Sequence, residues 1–262
     1  MMKPRSDRVF FFVNHALLIL LGLLFAYPLY FVLIASVSNP SAVGTGKVIL
    51  WPKGVSLEAY RIVMTDYRIF TGYRNSILYT AAGTALNVFL TIMCGYALSR
   101  KDFFLRKFFT GFLLFTMFFS GGLVPTFLLV KGLGLYNKPI VMILLGAASV
   151  WNILIARTWY ATSLPGELRE AALVDGCGTA RFFFRIAVPL SGSLIAVLAL
   201  FYAVGHWNSY FQAMIYLSKY EYYPLQIVLR DILLSNQLSS AMTDAINFEQ
   251  EGDLERYKEL IK

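Results

Sequence analysis

Charged residues are scarce in this sequence, and their scarcity excludes an ordinary soluble globular protein. Only 15% of the 262 residues are Asp, Glu, Lys or Arg, while 58% are hydrophobic and 16% aromatic; soluble domains carry about a quarter charged residues. Five stretches hold no formal charge at all: residues 9–46, 75–99, 108–130, 139–156 and 186–218. Each can supply the roughly 20 residues that a helix needs to cross a bilayer, the fourth near the lower limit. The composition therefore indicates a membrane protein with several spans.

Cysteine and histidine are also rare, with two of each. Cys94 falls in a predicted span and Cys177 in a predicted cytoplasmic loop, so no extracellular disulfide framework is expected. His15 and His206 are too few for a metal site and are interpreted as packing or surface residues. The run Gly44-Thr45-Gly46-Lys47 lacks the further glycine and the Ser or Thr of a phosphate-binding loop. The sequence thus predicts no catalytic residue, no metal and no cofactor.

The net charge of +8 would suggest a nucleic-acid partner in a soluble protein, but here its placement along the chain encodes orientation. If the N-terminus is cytoplasmic, the inner segments 1–8, 100–107 and 157–186 hold 11 Lys and Arg in 46 positions, and the remaining 12 lie in outer segments of about 91 positions. This bias predicts a cytoplasmic N-terminus in the cell membrane, although Lys131 and Lys138 oppose it. No nucleic-acid partner is expected.

The charge-free runs divide the chain into spans and loops. Spans are predicted near residues 9–37, 75–99, 108–130, 139–160 and 187–218, within a membrane core of residues 9–218. The first run is interpreted as a retained span because it lacks a suitably placed cleavage pattern. Residues 1–8 are predicted to be cytoplasmic, residues 38–72 to form an outer loop with an amphipathic stretch at 57–64, and residues 219–262 to form an extracellular loop ending in a soluble helix.

Gly121, Gly122 and Pro125 fall inside the third predicted span, where they can bend a helix. The bend could be a purely structural kink, which sequence patterns favour, or part of a gate. Both interpretations stay open at this point.

The loop at residues 162–190 is the most informative segment because it is about thirty residues long, against eight for the turn at 100–107. Ser163 and Pro165 are helix-start signals, Glu167 suits the first turn, and Gly176 ends the helix. Four apolar residues fall on one face at helical spacing: Leu164, Leu168, Ala171 and Ala172. Docking to a partner and anchoring to the membrane surface are equally compatible with this short helix.

A spaced pattern within this loop resembles the EAA loop of bacterial ABC importer permeases. It consists of Glu170-Ala171-Ala172, three residues, Gly176, nine residues, and Ile186-Ala187-Val188-Pro189. Further matching segments are Asn75-Ser76, Ser120-Gly121-Gly122-Leu123-Val124-Pro125-Thr126, Trp207-Asn208 and Tyr223-Pro224-Leu225-Gln226. Together they are similar to the carbohydrate-uptake family of the second maltose permease subunit, in its branch of lipoprotein-associated, complex-saccharide permeases.

The resemblance implies an all-α integral membrane protein, a polytopic helical bundle with the type I ABC importer permease fold, and no enzymatic activity of its own. It also implies four kinds of partner besides the bilayer: a second homologous permease, a cytoplasmic ABC ATPase dimer, an extracellular or lipid-anchored solute-binding protein, and a saccharide. The ATPase-coupling residues would be Glu170, Ala171, Ala172, Asp175 and Gly176.

The chain departs from this family in its predicted number of spans. The family core has six, whereas the longest uncharged run after Lys219 is twelve residues, Ile232 to Thr243, which is too short to cross a bilayer. The expectation is therefore five visible spans and an absent sixth.

Polar residues in the outer half of the fifth span are candidates for the substrate path. Gly205, Asn208, Ser209 and Gln212 share one face of a continuous helix, with Trp207 beside them. Such a face turns away from lipid, either toward a sugar path or toward the partner permease. The alternative function, a standalone secondary transporter or channel, would need intramembrane carboxylates, and none lies in the five runs.

Overall fold

The computed structural model describes residues 5–235 and 237–238, and the chain divides into two compact units, Met1–Tyr67 and Arg68–Lys262. Within the described residues the only regular secondary structure is helical, and no strand is present. The predicted soluble helix near the end of the chain lies outside the described residues. The helices are α1 (Arg5–Ser36), α2 (Pro40–Gly44), α3 (Glu58–Thr65), α4 (Tyr67–Ser99), α5 (Arg106–Phe118), α6 (Leu123–Gly132), α7 (Ile140–Leu144), α8 (Val150–Ser163), α9 (Gly166–Val174), α10 (Thr179–Phe182), α11 (Val188–Leu190), α12 (Gly192–Trp207) and α13 (Tyr210–Tyr216).

The first unit is a long apolar helix followed by the outer loop. In α1 the segment Phe10–Ser36 is long and apolar enough to cross a membrane, and its large side chains are exposed on all sides, as expected for a helix surrounded by lipid. The hydroxyls of Tyr27 and Tyr30 donate to the carbonyls of Ile49 and Leu50, at 3.2 and 2.5 Å. These bonds hold the loop against the end of α1. The amphipathic stretch predicted at 57–64 is helical, as part of α3.

The second unit is organised around α4, a 33-residue helix that is also long enough to span a membrane. Small or polar residues recur along its buried side, and at two of them a neighbouring element approaches closely. A Cβ atom at Gly83 would lie 2.4 Å from Nε2 of His206, and one at Gly95 would lie 2.5 Å from Cβ of Ala156. Glycine at these positions lets α12 and α8 pack directly on α4.

The third predicted span is not one continuous helix. Helices α5 and α6 meet at residues 119–122 with a bend of 113°. Gly122 adopts φ +84°, a region that glycine enters without the penalty of a Cβ. Pro125 lies in the first turn of α6, just after the bend, where backbone N–H groups have no helical acceptor and the missing N–H of proline costs no helical hydrogen bond.

The fourth and fifth predicted spans are also interrupted. Residues 145–149 separate α7 from α8, and residues 208–209 separate α12 from α13. A second sharp bend, of 79°, separates Thr179–Leu190 from Gly192–Trp207. Non-helical backbone at membrane depth requires polar partners inside the protein. Asn87 supplies one, since in the amide orientation that satisfies both of its polar atoms its side-chain nitrogen donates to the carbonyl of Ala147 at 3.3 Å.

Two clusters of buried apolar side chains stabilise this unit. One surrounds Tyr96 near the end of α4, and includes Tyr160, Phe182 and Leu198. The other surrounds Tyr79 near the beginning of α4, and includes residues of the segment 213–228. Helix α9 packs against the first cluster through Ala172.

Candidate coupling helix and translocation path

Helix α9 occupies the centre of the loop in which the sequence predicts a coupling element. It begins after Pro165, whose fixed φ suits the entry to a helix, rather than after Ser163. At its other end, the N–H groups of Gly176 and Cys177 donate to the carbonyls of Leu173 and Ala172, at 3.0 and 2.8 Å. Together with φ +71° at Gly176, these two bonds form a Schellman motif. Gly176 therefore ends α9 through its backbone conformation.

The buried side of α9 does not coincide with the apolar face predicted from the sequence. Ala172 is buried, with 7% of its surface exposed, and packs against the Tyr96 cluster. Glu170 and Ala171 are exposed, and Val174 is 89% exposed. The predicted face of Leu164, Leu168, Ala171 and Ala172 is thus divided between the protein and solvent. An exposed apolar side chain at the end of a short helix is available for contact with a partner protein or with the membrane surface.

Aromatic packing fixes the base of α9. The ring of Tyr96 lies 5.5 Å from that of Tyr160, in an edge-to-face arrangement, and 5.0 Å from that of Phe183. The hydroxyl of Tyr160 donates to Oγ of Ser191 at 3.1 Å, within the bend that precedes α12. Such aromatic contacts stabilise beyond the burial of their area. The loop from α9 to α12 is consequently packed on the end of α4.

A charged group also links α9 to the turn after α4. Asp102 accepts hydrogen bonds from Arg169 of α9 at 2.9 and 3.2 Å, and from Nε of Arg100 at 3.0 Å. The hydrogen bond from Arg100, followed by one from the Asp102 backbone and by the charges of both guanidinium groups, lowers the pKa of the Asp102 carboxyl below its usual range. Because the folded-state pKa is depressed, the stabilisation from this cluster is present at neutral pH and is lost only in acid. The sequence analysis did not identify these residues.

The substrate-path candidates lie at the break between α12 and α13. Gly205 and Asn208 are exposed, and Trp207 and Gln212 are half-buried. The prediction of one continuous polar face is wrong, because the chain leaves the helix at residues 208–209 and Ser209 is buried.

Local hydrogen bonds at this break explain why the chain leaves the helix. Nδ2 of Asn208 donates to the carbonyl of Val204 at 2.9 Å, and Oγ of Ser209 donates to that of His206 at 2.7 Å. Side-chain hydrogen bonds of this kind compete with the helical ladder.

A buried polar layer between α4 and α12 was missed in the sequence. In the amide orientation that satisfies both of its polar atoms, Asn87 donates to the carbonyl of Gly83 at 2.9 Å and accepts from Nε2 of His206 at 3.0 Å. The hydroxyls of Thr91 and Tyr202 lie 2.7 Å apart. These residues face each other from distant parts of the sequence, and no local pattern distinguishes them from lipid-facing residues. His206 is a packing residue, as the sequence analysis interpreted it.

Polar side chains at the beginning of α4 hold the segment after α13. Nδ2 of Asn75 donates to the carbonyls of Glu221 and Tyr223, at 2.7 and 3.1 Å, and Oγ of Ser76 accepts from the N–H of Leu225 at 2.8 Å. These contacts give the Asn75-Ser76 and Tyr223-Pro224-Leu225-Gln226 segments a structural role. Part of the predicted extracellular loop, residues 225–235, is helical.

The gate or kink candidates lie at the bend between α5 and α6. Gly121, Gly122 and Pro125 are all exposed, and a Cβ atom at Gly122 would meet no atom within 4 Å. Glycine there serves the backbone conformation rather than a close contact within the chain. Across residues 5–235 no group of three or more His, Cys, Asp or Glu side chains is arranged to hold a metal ion.

The chain has the features of a polytopic membrane permease. It combines long apolar helices, sharply broken spans with a polar layer inside, and a helix, α9, that is packed on one side and exposed on the other. Residues 87–243 match the family described as binding-protein-dependent transport system inner membrane component. The chain belongs to this family, and it is a permease subunit of an ABC import system.

Individual relatives agree with the family assignment. The chain is 37% identical to the polygalacturonan/rhamnogalacturonan transport system permease protein YtcP of Bacillus subtilis, over 87% of this chain and 80% of the relative. It is 34% identical to protein LplC of the same organism, over 94% and 83%. A solved bacterial ABC transporter involved in the import of the acidic polysaccharide alginate matches with a TM-score of 0.85 and 31% identity, over 93% of this chain and 88% of that chain. The all-α type I importer permease fold is thereby confirmed.

Proposed function

We propose that this chain forms one half of the pore of a saccharide importer and that α9 docks on a separate cytoplasmic ATPase. The observation that carries the proposal is the free face of α9, where Glu170, Ala171 and Val174 are exposed on a helix whose opposite side is packed. Ala172 packs the helix against the protein, and Asp175 and Gly176 end it. A partner that seats on the free face can displace α9 and bias the permease between two conformations.

The remaining partners follow from the same proposal: a second homologous permease completes the pore, and an extracellular or lipid-anchored binding protein delivers the saccharide. The relatives include systems named for polygalacturonan and rhamnogalacturonan and for alginate. Oligosaccharides from acidic polysaccharides are therefore the first substrates to test. A standalone secondary transporter would run without an ATPase.

The proposal is tested with the importer reconstituted in liposomes with its ATPase, partner permease and binding protein. Saccharide should stimulate ATP hydrolysis and enter the liposomes only with ATP. Val174→Asp should weaken ATPase association, because it places a charge in an apolar contact, by about tenfold in dissociation constant. The matched control is Val55→Asp, at a valine that is 74% exposed in the outer loop. Uptake without the ATPase, or equal ATPase binding by both variants, would refute the proposal.

The N-inside orientation is part of the proposal and has a direct test. With Cys94 and Cys177 replaced by serine, a cysteine at Lys101 or Arg181 should be protected from a membrane-impermeant thiol reagent in intact cells. A cysteine at Gly54 should be labelled. The reason is the greater density of basic residues predicted on the cytoplasmic side. Labelling of position 181 from outside would invert the orientation.

The substrate path is tested at the break between α12 and α13. If Asn208 and Gln212 contact the saccharide, Asn208→Ala and Gln212→Ala should each change the apparent affinity for transported saccharides by about fivefold, the value of one lost hydrogen bond. Saturation of uptake measures this, with the exposed amide variant Asn14→Ala as a control. Loss of the partner permease during purification would assign these side chains to the contact between permeases instead.

A further inference from the structure

The carboxylate of Asp102 binds arginine side chains from two separate elements. It lies in the turn after α4 and accepts from Arg100, which follows the last residue of that helix, and from Arg169 in the middle of α9. Each guanidinium makes two bonds. Arg169 places Nη1 at 3.2 Å from Oδ1 and Nη2 at 2.9 Å from Oδ2, while Arg100 places Nε at 3.0 Å from Oδ1 and Nη2 at 2.5 Å from Oδ2. Two-pronged contacts of this kind fix orientation as well as distance.

The Arg100 side of this cluster is held rigidly. Its side chain is only 16% exposed, and its guanidinium carbon lies 5.9 Å from the centre of the Tyr96 ring. Tyr96 belongs to the aromatic cluster at the end of α4. A cation stacked on a packed aromatic ring loses much of its freedom of movement. The position of Asp102 is therefore set by its contact with Arg100 at the end of α4.

The Arg169 side of the cluster belongs to α9. Arg169 is three residues before Ala172, so both project from the side of α9 that faces the protein. Ala172 packs on the Tyr96 cluster, and Arg169 reaches Asp102. Helix α9 is thus joined to the end of α4 by an apolar contact and by an oriented charged contact. Two attachment points resist rotation of a short helix better than one.

We propose that Asp102 is a positioning residue that makes α9 and the end of α4 move as one body during the transport cycle. The inference rests on the proposed function, in which α9 is displaced by an ATPase. Helix α4 carries Asn87 and Thr91 into the polar layer against α12, so a displacement passed to α4 reaches the interior of the membrane domain. Without the charged contact, α9 could tilt about Ala172 and the displacement would be partly lost.

This role differs from a contribution to stability. Asp102 is 47% exposed, and exposed ion pairs contribute little to the free energy of folding. Loss of the carboxylate should therefore leave the permease folded and bound to its ATPase. The effect is expected in the coupling ratio, which is the amount of saccharide transported for each ATP hydrolysed.

The first test uses the reconstituted importer with Asp102→Asn or Arg169→Gln in the permease. Both variants should retain ATP hydrolysis and lower the coupling ratio by about fivefold or more. Asp102→Glu should restore most of the coupling, and Lys101→Gln, which removes a neighbouring exposed charge, should match the wild type. A wild-type coupling ratio in both Asp102→Asn and Arg169→Gln would overturn the inference, as would loss of ATPase binding in both.

The second test asks whether the two elements separate during the cycle. In a chain with Cys94→Ser and Cys177→Ser, Asp102→Cys and Arg169→Cys are joined by a short, reducible bis-thiol linker. After reduction this importer lacks the charged contact and should show the lowered coupling ratio, whereas the linker, which joins the two elements again, should restore most of the coupling. Transport that stops on linking and returns on reduction would overturn the inference. If wild-type importer shows no saccharide-stimulated ATP hydrolysis, the proposed function fails instead, which separates the two failures.

Discussion

Replacement of Gly95 by leucine is expected to prevent the second unit from folding stably. A Cβ atom at Gly95 would lie 2.5 Å from Cβ of Ala156 and 3.0 Å from the carbonyl carbon of Ala156 and the nitrogen of Arg157. Ala156 is fully buried, and the obstructing atoms belong largely to the backbone of α8. Helix α8 would have to move away from α4, because no side chain can rotate aside. Overpacking of this severity costs roughly 3 kcal/mol or more.

Gly111→Leu is the matched control for this experiment. Gly111 is also helical and lies inside a predicted span, but a Cβ atom there would meet nothing within 4 Å. Both variants add the same apolar volume to the membrane domain. Thermal unfolding in detergent should show a much lower midpoint for Gly95→Leu and little change for Gly111→Leu. Equal midpoints would show that α4 and α8 do not pack as closely as described.

The membrane character of the chain and the position of α9 could be predicted because both depend on local sequence. A run without charged residues indicates that the segment is surrounded by lipid, because the bilayer core disfavours a charged side chain at any position in a span. The end of α9 at Gly176 is equally local, since a helix stop of this type involves only the last turn and the two residues beyond it. The helix predicted between Pro165 and Gly176 extends from Gly166 to Val174, so both of its ends lie within one residue of the predicted ones.

The breaks inside the spans could not be predicted because their partners are distant in sequence. A run without charge has the same composition whether its backbone is straight or broken. The interruption at 145–149 is tolerated because Asn87 donates to the carbonyl of Ala147 from 60 positions away. The bond between Arg169 and Asp102 spans 67 positions, and each residue by itself has the pattern of an ordinary surface charge. Periodicity within one helix contains no information about such pairs.

Gly176→Val is expected to uncouple transport by disturbing the end of α9, whereas Gly176→Asn should transport nearly as the wild type does. The φ of +71° at this position strains a β-branched residue, and the cost of left-handed backbone is about 1–2 kcal/mol. Asparagine adopts this conformation more readily. A Cβ atom at Gly176 would meet nothing within 4 Å, so contacts within the chain do not penalise either substitution.

Gly178→Val is the matched control, because Gly178 lies two residues further along the same loop with φ −65° and no atom within 4 Å of its missing Cβ. This variant should keep both ATPase association and saccharide uptake. Loss of association and at least a tenfold fall in uptake are expected for Gly176→Val, since about 1.4 kcal/mol of strain is a factor of ten in the population of the docked helix end. If Gly176→Asn fails as completely as Gly176→Val, the position requires the absence of any side chain against the docked ATPase, and the left-handed backbone is not what makes glycine necessary there.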